Sequence, residues 1–310
     1  MPNSPCTTVE DYKLPAGWIR PGAPEAQARS YCEMLERGQI LLFAEPPFGL
    51  PAKDRDFLLA QKWGELRMHK NISYRSSADI LRGVSGDAAT VRRLHSIMRD
   101  YSAQVIEFLT KFLSPYAGQW IVDFSSFRPI EEQGRNLPLH KRNDLLHVDA
   151  FPSRPTRGAR ILRVFTNLNP TKARVWETTG PFESLAREHA LPAGLRQIAR
   201  NRSPLVRTLQ NWGQKLEFPG VGRTPYDIFM LRFHDYLKEN AAFQRTCSKA
   251  RLEFPPLATW IVYTDGVAHA ALSGQYALEQ TLLIPPEALV ARESAPYRIL
   301  GVIAGRPLIC

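Results

Sequence analysis

Apolar residues recur at helical spacing through much of the N-terminal third of the chain. This spacing predicts helices over residues 25–37, 54–63 and 88–113, and a short apolar run over residues 39–44 predicts a strand that ends before Pro46. The apolar stripe of residues 88–113 is typical of a helix that packs against a core. We therefore expect residues 1–115 to be mainly helical.

The pattern changes after Pro115. Short runs rich in Val, Ile, Phe and Tyr, bounded by Gly and Pro, predict strands over residues 119–127, 147–151, 159–167, 257–264 and 276–284. Between them, helical spacing returns over residues 181–189 and 227–247. Internal repeats, low-complexity tracts and linkers are absent from the sequence. It therefore predicts a single domain over residues 1–310, in which residues 116–310 form a strand-rich core.

Composition narrows the class of protein. The 310 residues are 44% hydrophobic, which is enough for a sizeable core and excludes intrinsic disorder. The net charge of +10 favours an anionic partner, such as nucleic acid, a membrane surface or a phosphorylated ligand. Four widely separated cysteines argue against a disulfide framework and favour a reducing cytosol. No secretory signal or membrane-spanning apolar run is expected.

One short string carries candidate chemistry. His147 and Asp149 are two residues apart in the predicted strand 147–151. Residues at this spacing project from the same face of a strand, so an imidazole and a carboxylate could occupy adjacent positions on one metal ion. A His-x-Asp tripeptide alone is a weak signal, and an ordinary polar pair on a strand is the alternative. The hypothesis needs a third, distant ligand.

His269 is the candidate third ligand. It follows the strand predicted over residues 257–264 and an Asp-Gly turn. Two histidines and one carboxylate on one face of an octahedral iron leave three positions open, whereas a zinc site would favour a tetrahedral set. His234 lies in a helical apolar pattern and is predicted to be a packed histidine. It would be the next candidate if His269 were not a ligand.

Longer strings carry a resemblance to a known family. Residues 144–170, DLLHVDAFPSRPTRGARILRVFTNLNP, residues 260–281, WIVYTDGVAHAALSGQYALEQT, and residues 297–309, YRILGVIAGRPLI, resemble the Kdo 3-hydroxylases among the Fe(II)- and 2-oxoglutarate-dependent dioxygenases. These enzymes modify 3-deoxy-D-manno-octulosonic acid (Kdo) on lipid A precursors. The resemblance implies an α+β fold with a double-stranded β-helix (jelly-roll) core and metal ligation by His147, Asp149 and His269. It also implies hydroxylation at C3 with Fe(II), 2-oxoglutarate and dioxygen.

The chain departs from the commonest pattern of these oxygenases, in which an arginine about ten residues after the distal histidine binds the far carboxylate of 2-oxoglutarate. That neighbourhood contains Gln275, Glu279 and Gln280 and no cation. A charged clamp is therefore expected on another strand. Arg163 is the leading candidate, and a surface strand charge is the alternative. Further cosubstrate candidates are Asn167, on the same predicted face, Arg160, on the other face, and Gln275.

Arginines are frequent in the loops that flank the proposed metal strand. Their positions are Arg128, Arg135, Arg142, Arg154 and Arg157. In a jelly-roll these loops would surround the mouth of the site, where an anionic lipid-linked sugar could be steered and bound. We predict substrate contacts for Arg128, Arg135, Arg154 and Arg157. Solvated loop charges are the alternative for each of them.

Two other functions remain open at this point. The same oxidative machinery could act on a nucleic-acid base or a protein side chain, or the chain could be a non-catalytic cupin-like binding protein. No basic helix, zinc finger or aromatic-basic repeat favours nucleic acid, so we expect no nucleic-acid partner. A Kdo-lipid acceptor predicts a cytoplasmic protein in peripheral contact with the cytoplasmic face of the inner membrane.

Overall fold

The computed structural model describes residues 5–9, 23–61, 67–200 and 222–309. The end of the helix predicted over residues 54–63, most of the segment in which a secretory signal was sought, and Cys310 lie outside these ranges. The described helices are α1 Ala23–Glu36, α2 Ala52–Ala60, α3 Ala88–Phe112, α4 Phe182–His189, α5 Leu195–Arg200, α6 Pro225–Glu239, α7 Ala241–Thr246 and α8 Pro296–Ala304. The strands are β1 Cys6–Thr8, β2 Ile40–Phe43, β3 Arg67–Arg75, β4 Ile80–Ser85, β5 Ile121–Arg128, β6 Arg160–Asn167, β7 Arg174–Thr178, β8 Ala250–Phe254, β9 Thr259–Tyr263, β10 His269–Ser273 and β11 Ala277–Ile284.

The helix predictions are confirmed for α1, α3 and α4. Helix α3 begins where Asp87 accepts hydrogen bonds from the backbone N–H groups of Ala89 and Thr90, which would otherwise lack partners. Its apolar stripe is buried against the sheet, as the spacing predicts. The single helix predicted over residues 227–247 is wrong. Asn240 separates α6 from α7, and its side chain accepts a hydrogen bond from Phe243 N–H to start the second helix.

Two sheets carry the strands. The larger has the order β1-β2-β9-β6-β11-β5-β3-β4 and is antiparallel except for the β1–β2 pair. The smaller has the order β10-β7-β8 and is antiparallel throughout. The strands predicted from apolar runs are confirmed for β2, β5, β6, β9 and β11. Strands β1, β3 and β4 show that the N-terminal third also builds the large sheet, a contribution that the sequence pattern missed.

The predicted strand over residues 147–151 is wrong. Only His147 forms a β-bridge, to His269, and the residues after it are irregular. One edge of this segment follows β10, whereas its other edge faces helices α6 and α7. Asp149 N–H donates to the carbonyl of Thr264, which lies before β10 and not within it, so the ladder along β10 stops at one bridge.

An aromatic cluster joins the two sheets. Phe165 of β6 stacks on Trp260 of β9 at 5.2 Å between ring centroids, and Trp176 of β7 meets both rings edge-on. Phe254 of β8 stacks on Trp260 at 3.9 Å. Offset and edge-to-face contacts of this kind fix the relative position of the sheets. The ends of β7, β9 and β10 are thereby aligned beside His269.

None of the helices in the described ranges is both long enough and apolar enough to cross a membrane.

Candidate metal centre

Three side chains converge at one end of the small sheet. His147, Asp149 and His269 each offer one ligand atom, and these atoms lie within 4.8 Å of one another. The backbone sets this arrangement, because His147 N–H donates to His269 O at 3.1 Å and His269 N–H donates to His147 O at 2.9 Å. Asp149 N–H donates to the carbonyl of Thr264, just after β9, at 2.8 Å. The segment that carries His147 and Asp149 is thus hydrogen-bonded to the segment that carries His269.

Backbone carbonyls determine which ring nitrogen each histidine presents. Nδ1 of His147 lies 2.7 Å from Leu145 O, and Nδ1 of His269 lies 2.9 Å from Val267 O. A carbonyl oxygen can only accept, so Nδ1 carries the proton in both rings and Nε2 keeps its lone pair. Trp176 stacks on the His269 ring at 4.9 Å. Hydrogen bonding and stacking therefore fix the tautomer and the ring plane, as is usual for metal-binding histidines.

The electrostatics of the cluster favour neutral imidazoles and an ionised carboxylate. Burial lowers the pKa of His147 and His269, and repulsion between the two rings lowers the pKa of His147 further. Burial alone would raise the pKa of Asp149, but the charge of the Arg163 guanidinium opposes burial, and the pKa lies below its ordinary value. The site therefore presents two nitrogen lone pairs and one negative oxygen.

This donor set fits a divalent metal. Within the described ranges, Asp149 Oδ2 is buried and accepts no hydrogen bond, although Arg163 Nη2 lies 3.1 Å away. A buried carboxylate oxygen without a hydrogen bond is costly, and a cation would compensate it. Two histidines and one carboxylate form the facial set typical of non-heme Fe(II) oxygenases.

Arg163 lies on the face of β6 that the alternation predicts, beside Asp149. Its Nη1 donates to Glu279 Oε1 of β11 at 2.7 Å, and its buried Nε has no hydrogen-bond partner among the described residues. Arg128 Nε donates to the other oxygen of Glu279 at 2.8 Å. Burial raises the pKa of Glu279, but the two arginines lower it below its ordinary value. Glu279 thus holds both guanidinium groups in the sheet, a role that sequence analysis missed.

The other cosubstrate candidates are not brought to the cluster. Arg160 lies on the opposite face of β6, where its Nε donates to Asp265 Oδ2 at 2.8 Å and its guanidinium packs on Tyr263. The Asn167 side-chain amide donates to the carbonyls of Phe254, Pro255 and Lys172 and braces the loop after β6. Gln275 lies in the turn between β10 and β11. The geometry therefore leaves Arg163 as the cosubstrate candidate that contacts the cluster.

Most of the predicted substrate arginines already pair with carboxylates. The pairs are Arg128–Glu279, Arg135–Glu132 and Arg154–Asp123, and the neighbouring Arg142, which was not predicted to contact substrate, pairs with Asp144. Arg157 is exposed and has a positive φ of 55°. Its backbone N–H donates to Asp227 of α6 at 2.9 Å, and Asp227 also accepts from Thr156 N–H at 2.7 Å. Asp227 therefore ties the arginine-bearing loop to the start of a helix.

Arg154 has the most distinctive surroundings of this group. Its guanidinium lies 4.2 Å from the ring centroids of both Phe124 and Phe151, and its buried Nε has no hydrogen-bond partner among the described residues. Arg75 of β3 covers Phe124 at 4.7 Å. Sequence analysis missed Arg75, because nothing in the local pattern shows that β3 runs beside β5. Phe151 also lies 5.9 Å from the Arg163 guanidinium, so Arg154 adjoins the metal centre.

His234 is packed, as predicted, but it packs against the cluster itself. Its ring lies 4.8 Å from the His147 ring, centroid to centroid, and its Nδ1 lies 2.8 Å from Val148 O. It is not one of the residues whose ligand atoms converge. Its Nδ1 pairs with a carbonyl as those of His147 and His269 do, so it differs from them only in lying outside the converging group.

Comparisons with known proteins agree with this geometry. The family described as 3-deoxy-D-manno-oct-2-ulosonic acid (Kdo) hydroxylase matches residues 20–307. Among curated protein sequences, none matches significantly.

Solved structures of the Kdo hydroxylase KdoO, a non-heme Fe(II) alphaketoglutarate dependent dioxygenase, are similar over nearly the whole chain. Its complex with alphaketoglutarate and Fe(III) is 31% identical and covers 99% of this chain and 98% of its own, with a TM-score of 0.83. Its cobalt(II) complex is 32% identical over the same shares, with a TM-score of 0.81. The match over residues 20–307 and this identity over nearly the full length show that the chain belongs to the Kdo hydroxylase family.

Proposed function

We propose that this member of the Kdo hydroxylase family hydroxylates C3 of Kdo on lipid A precursors, giving the 3-hydroxylated sugar, with Fe(II), 2-oxoglutarate and dioxygen. The observation that carries the proposal is the buried convergence of His147, Asp149 and His269 beside Arg163. In this proposal His147, Asp149 and His269 hold the iron, and Arg163 binds the far carboxylate of 2-oxoglutarate. Related structures contain iron with alphaketoglutarate or succinate.

When bound, iron and 2-oxoglutarate supply oxidative decarboxylation that activates dioxygen and inserts one oxygen atom into a C–H bond. The chain orients the reactants. The carbonyls of Leu145 and Val267 keep both Nε2 lone pairs available to the metal. Arg163 retains its bond to Glu279, while its Nε, which has no hydrogen-bond partner among the described residues, would donate to a carboxylate of 2-oxoglutarate. The aromatic rings of Trp176 and Phe151 adjoin the cluster and limit its contact with water.

On the substrate side, we propose that Arg154 and Arg75 contact the sugar carboxylate. Both guanidiniums lie on aromatic rings, which fixes their planes, and Nε of Arg154 has no hydrogen-bond partner in the part of the chain that the structure describes. Arg128, Arg135 and Arg157 stay in the proposed substrate set. The carboxylate pairs of Arg128 and Arg135 reduce the charge that those two present to a ligand.

The same proposal covers the architecture and the location. A jelly-roll core is supported by two largely antiparallel sheets that meet at the aromatic cluster. A single catalytic domain is supported by one apolar core that contains residues from both halves of the chain, from Cys32 to Leu308. A lipid-linked acceptor would place the protein in the cytoplasm, in peripheral contact with the inner membrane.

The test is an assay of the protein purified without oxygen and loaded with Fe(II). After 2-oxoglutarate and air are added to a Kdo-containing lipid A precursor, mass spectrometry should show a gain of one oxygen atom on a Kdo residue together with succinate formation. Succinate without oxygenated sugar would point to another acceptor, such as a protein side chain. Binding of Kdo-lipid without succinate formation would instead indicate a binding protein.

A further inference from the structure

The segment that carries two of the converging ligands is bonded along both edges, but by different kinds of partner. On one edge, the backbone groups of His147 and Asp149 pair with His269 and Thr264. In an extended segment, alternate residues direct their backbone groups to opposite edges. Leu146 and Val148 therefore face the other way, toward helices α6 and α7.

Gln244 of α7 takes the place of a strand residue on that edge. Its Oε1 accepts from Leu146 N–H at 3.0 Å, and its Nε2 donates to Leu146 O at 2.9 Å. The side-chain amide thus offers the same donor and acceptor that a peptide unit would. Nε2 also donates to Leu237 O near the end of α6 at 2.8 Å, which links the amide to both helices.

His234 of α6 occupies the next position along the same edge. Its Nδ1–H donates to Val148 O at 2.8 Å, and its ring meets the His147 ring edge-on, with 75° between the planes. Leu146 and Val148 are fully buried, so their backbone groups would be left without partners if these side chains were lost.

We propose that Gln244 and His234 are positioning residues that together substitute for a missing strand and hold the segment 146–149 at the spacing from His269 that a metal ion requires. The inference rests on the proposed metal site. Neither side chain contributes a converging ligand atom, so both act through the backbone of the ligand segment. Outer-shell partners of this kind commonly change metal affinity by about 10- to 100-fold.

The test uses the full chain without metal, titrated with Co(II) alone by calorimetry. Gln244→Leu removes both bonds to Leu146, and His234→Phe removes the donor while keeping a ring against His147. Each should weaken Co(II) binding about tenfold or more and speed amide hydrogen exchange at Leu146 or in the adjoining residues. His234→Asn places an amide N–H where Nδ1–H stood, so it should restore affinity to within about threefold of wild type.

Two controls separate positioning from general damage. Thr246→Ala removes an exposed hydrogen bond to Ala242 O within α7, and His95→Phe removes a bond to Asp79 O far along the chain. Both should bind Co(II) like wild type. Where Gln244→Leu fails to fold, Gln244→Glu serves instead, because a carboxylate accepts from Leu146 N–H but cannot donate to Leu146 O.

Unchanged Co(II) affinity and unchanged exchange at Leu146 in the folded variants would overturn the positioning role. Failure of His234→Asn to restore what His234→Phe loses would overturn the hydrogen bond to Val148 as its basis. A wild-type chain that binds no Co(II) would contradict the proposed metal site at His147, Asp149 and His269. In that case, hydrogen exchange at Leu146 in Gln244→Leu would still show whether Gln244 holds the segment 146–149.

Discussion

At the scale of single residues, each histidine of the cluster is oriented by a carbonyl two positions before it. Leu145 O serves His147 and Val267 O serves His269. This repeated local device directs both Nε2 atoms toward one point. The orientation of the two rings is therefore determined by carbonyls that lie close to them in the sequence.

Removal of any one converging side chain should abolish hydroxylation. His147→Ala, Asp149→Ala and His269→Ala each leave only two protein ligands, too few to keep iron in facial geometry. Iron content, measured by elemental analysis, should fall with turnover while circular dichroism stays native. His95→Ala is the matched control, since His95 also bonds a backbone carbonyl. A variant with near wild-type turnover and stoichiometric iron would show that its residue is not a ligand.

The metal-free protein should lose stability in mild acid. Burial lowers the pKa of His147, His269 and His234 in the folded chain, so the unfolded chain binds more protons below the ordinary value of 6.5. The stability is fully present above pH 6.5 and declines as the pH falls, by up to about 1.4 kcal/mol per pH unit for each buried ring. Urea unfolding of the metal-free protein at pH 7.5 and 5.5 measures the change in unfolding free energy. Equal urea midpoints at the two pH values would contradict the predicted loss of stability.

Arg163→Met should weaken 2-oxoglutarate binding by about 2–5 kcal/mol, because one partner of a buried charged pair is lost. Iron should still bind, since His147, Asp149 and His269 remain. The measurement is succinate formation against 2-oxoglutarate concentration, with Arg251→Met on β8, an exposed strand arginine, as the control. Unchanged cosubstrate dependence would remove Arg163 as the clamp.

At the scale of elements, one carboxylate joins helix α6 to the arginine-bearing loop. Asp227 completes the capping box of α6 with Thr224 and also accepts the backbone N–H groups of Thr156 and Arg157. A single buried side chain therefore determines both where a helix starts and how the loop beside Arg154 is held.

Asp227→Ala should lower the unfolding free energy by about 1–3 kcal/mol, because several buried donors lose their acceptor. It should also raise the KM for the Kdo acceptor by loosening the loop, with little change in the KM for 2-oxoglutarate. Thermal melts and acceptor kinetics test this. Asp87→Ala, which removes only the cap of α3, should destabilise the fold without a KM effect. A KM that does not change in Asp227→Ala would separate the loop from acceptor binding.

Elements with a strong local period could be predicted, and those defined by distant partners could not. Helix α3 and strands β6 and β11 have apolar spacings that suffice to identify them. Strand β4 is largely exposed, so its residues show no apolar alternation. The segment around His147 has a strand-like composition, but its second edge meets Gln244 at Leu146, 98 residues away. Nothing near His147 in the sequence indicates that partner.

At the scale of the whole molecule, the converging residues were predictable and their surroundings were not. His147, Asp149 and His269 were found from spacing and family resemblance, and Arg163 from strand alternation. In the sequence, Glu279 was noted only because it lies where related oxygenases have a cosubstrate-binding arginine. In the structure it binds two arginines, Arg128 and Arg163, on the two strands beside its own. Its only local signal is that of a single charged residue inside a strand that is otherwise uncharged. Such partnerships depend on sheet order, which local pattern does not contain.

The overall charge should govern how fast the acceptor arrives. A net charge of +10 attracts an anionic lipid-linked sugar at a distance, whereas Arg135 and Arg154 are already paired with carboxylates. Raising the salt concentration from about 50 to 300 mM should lower kcat/KM for the acceptor and leave kcat nearly unchanged, because screening acts on encounter. Kinetics of wild type and Arg157→Gln at both salt concentrations test this. A kcat/KM that is insensitive to salt would exclude electrostatic steering.

The reciprocal backbone bonds between His147 and His269 have a practical consequence for handling the protein. A centre whose nitrogen and oxygen donors are held by backbone bonds offers the same ligands to any divalent ion, and nickel and copper bind such donors more tightly than iron does. Purification on a nickel resin would therefore load the centre with the wrong ion and yield an inert preparation. Removing the bound ion with a chelator and reloading the protein with Fe(II) under argon should restore activity to such an inactive preparation.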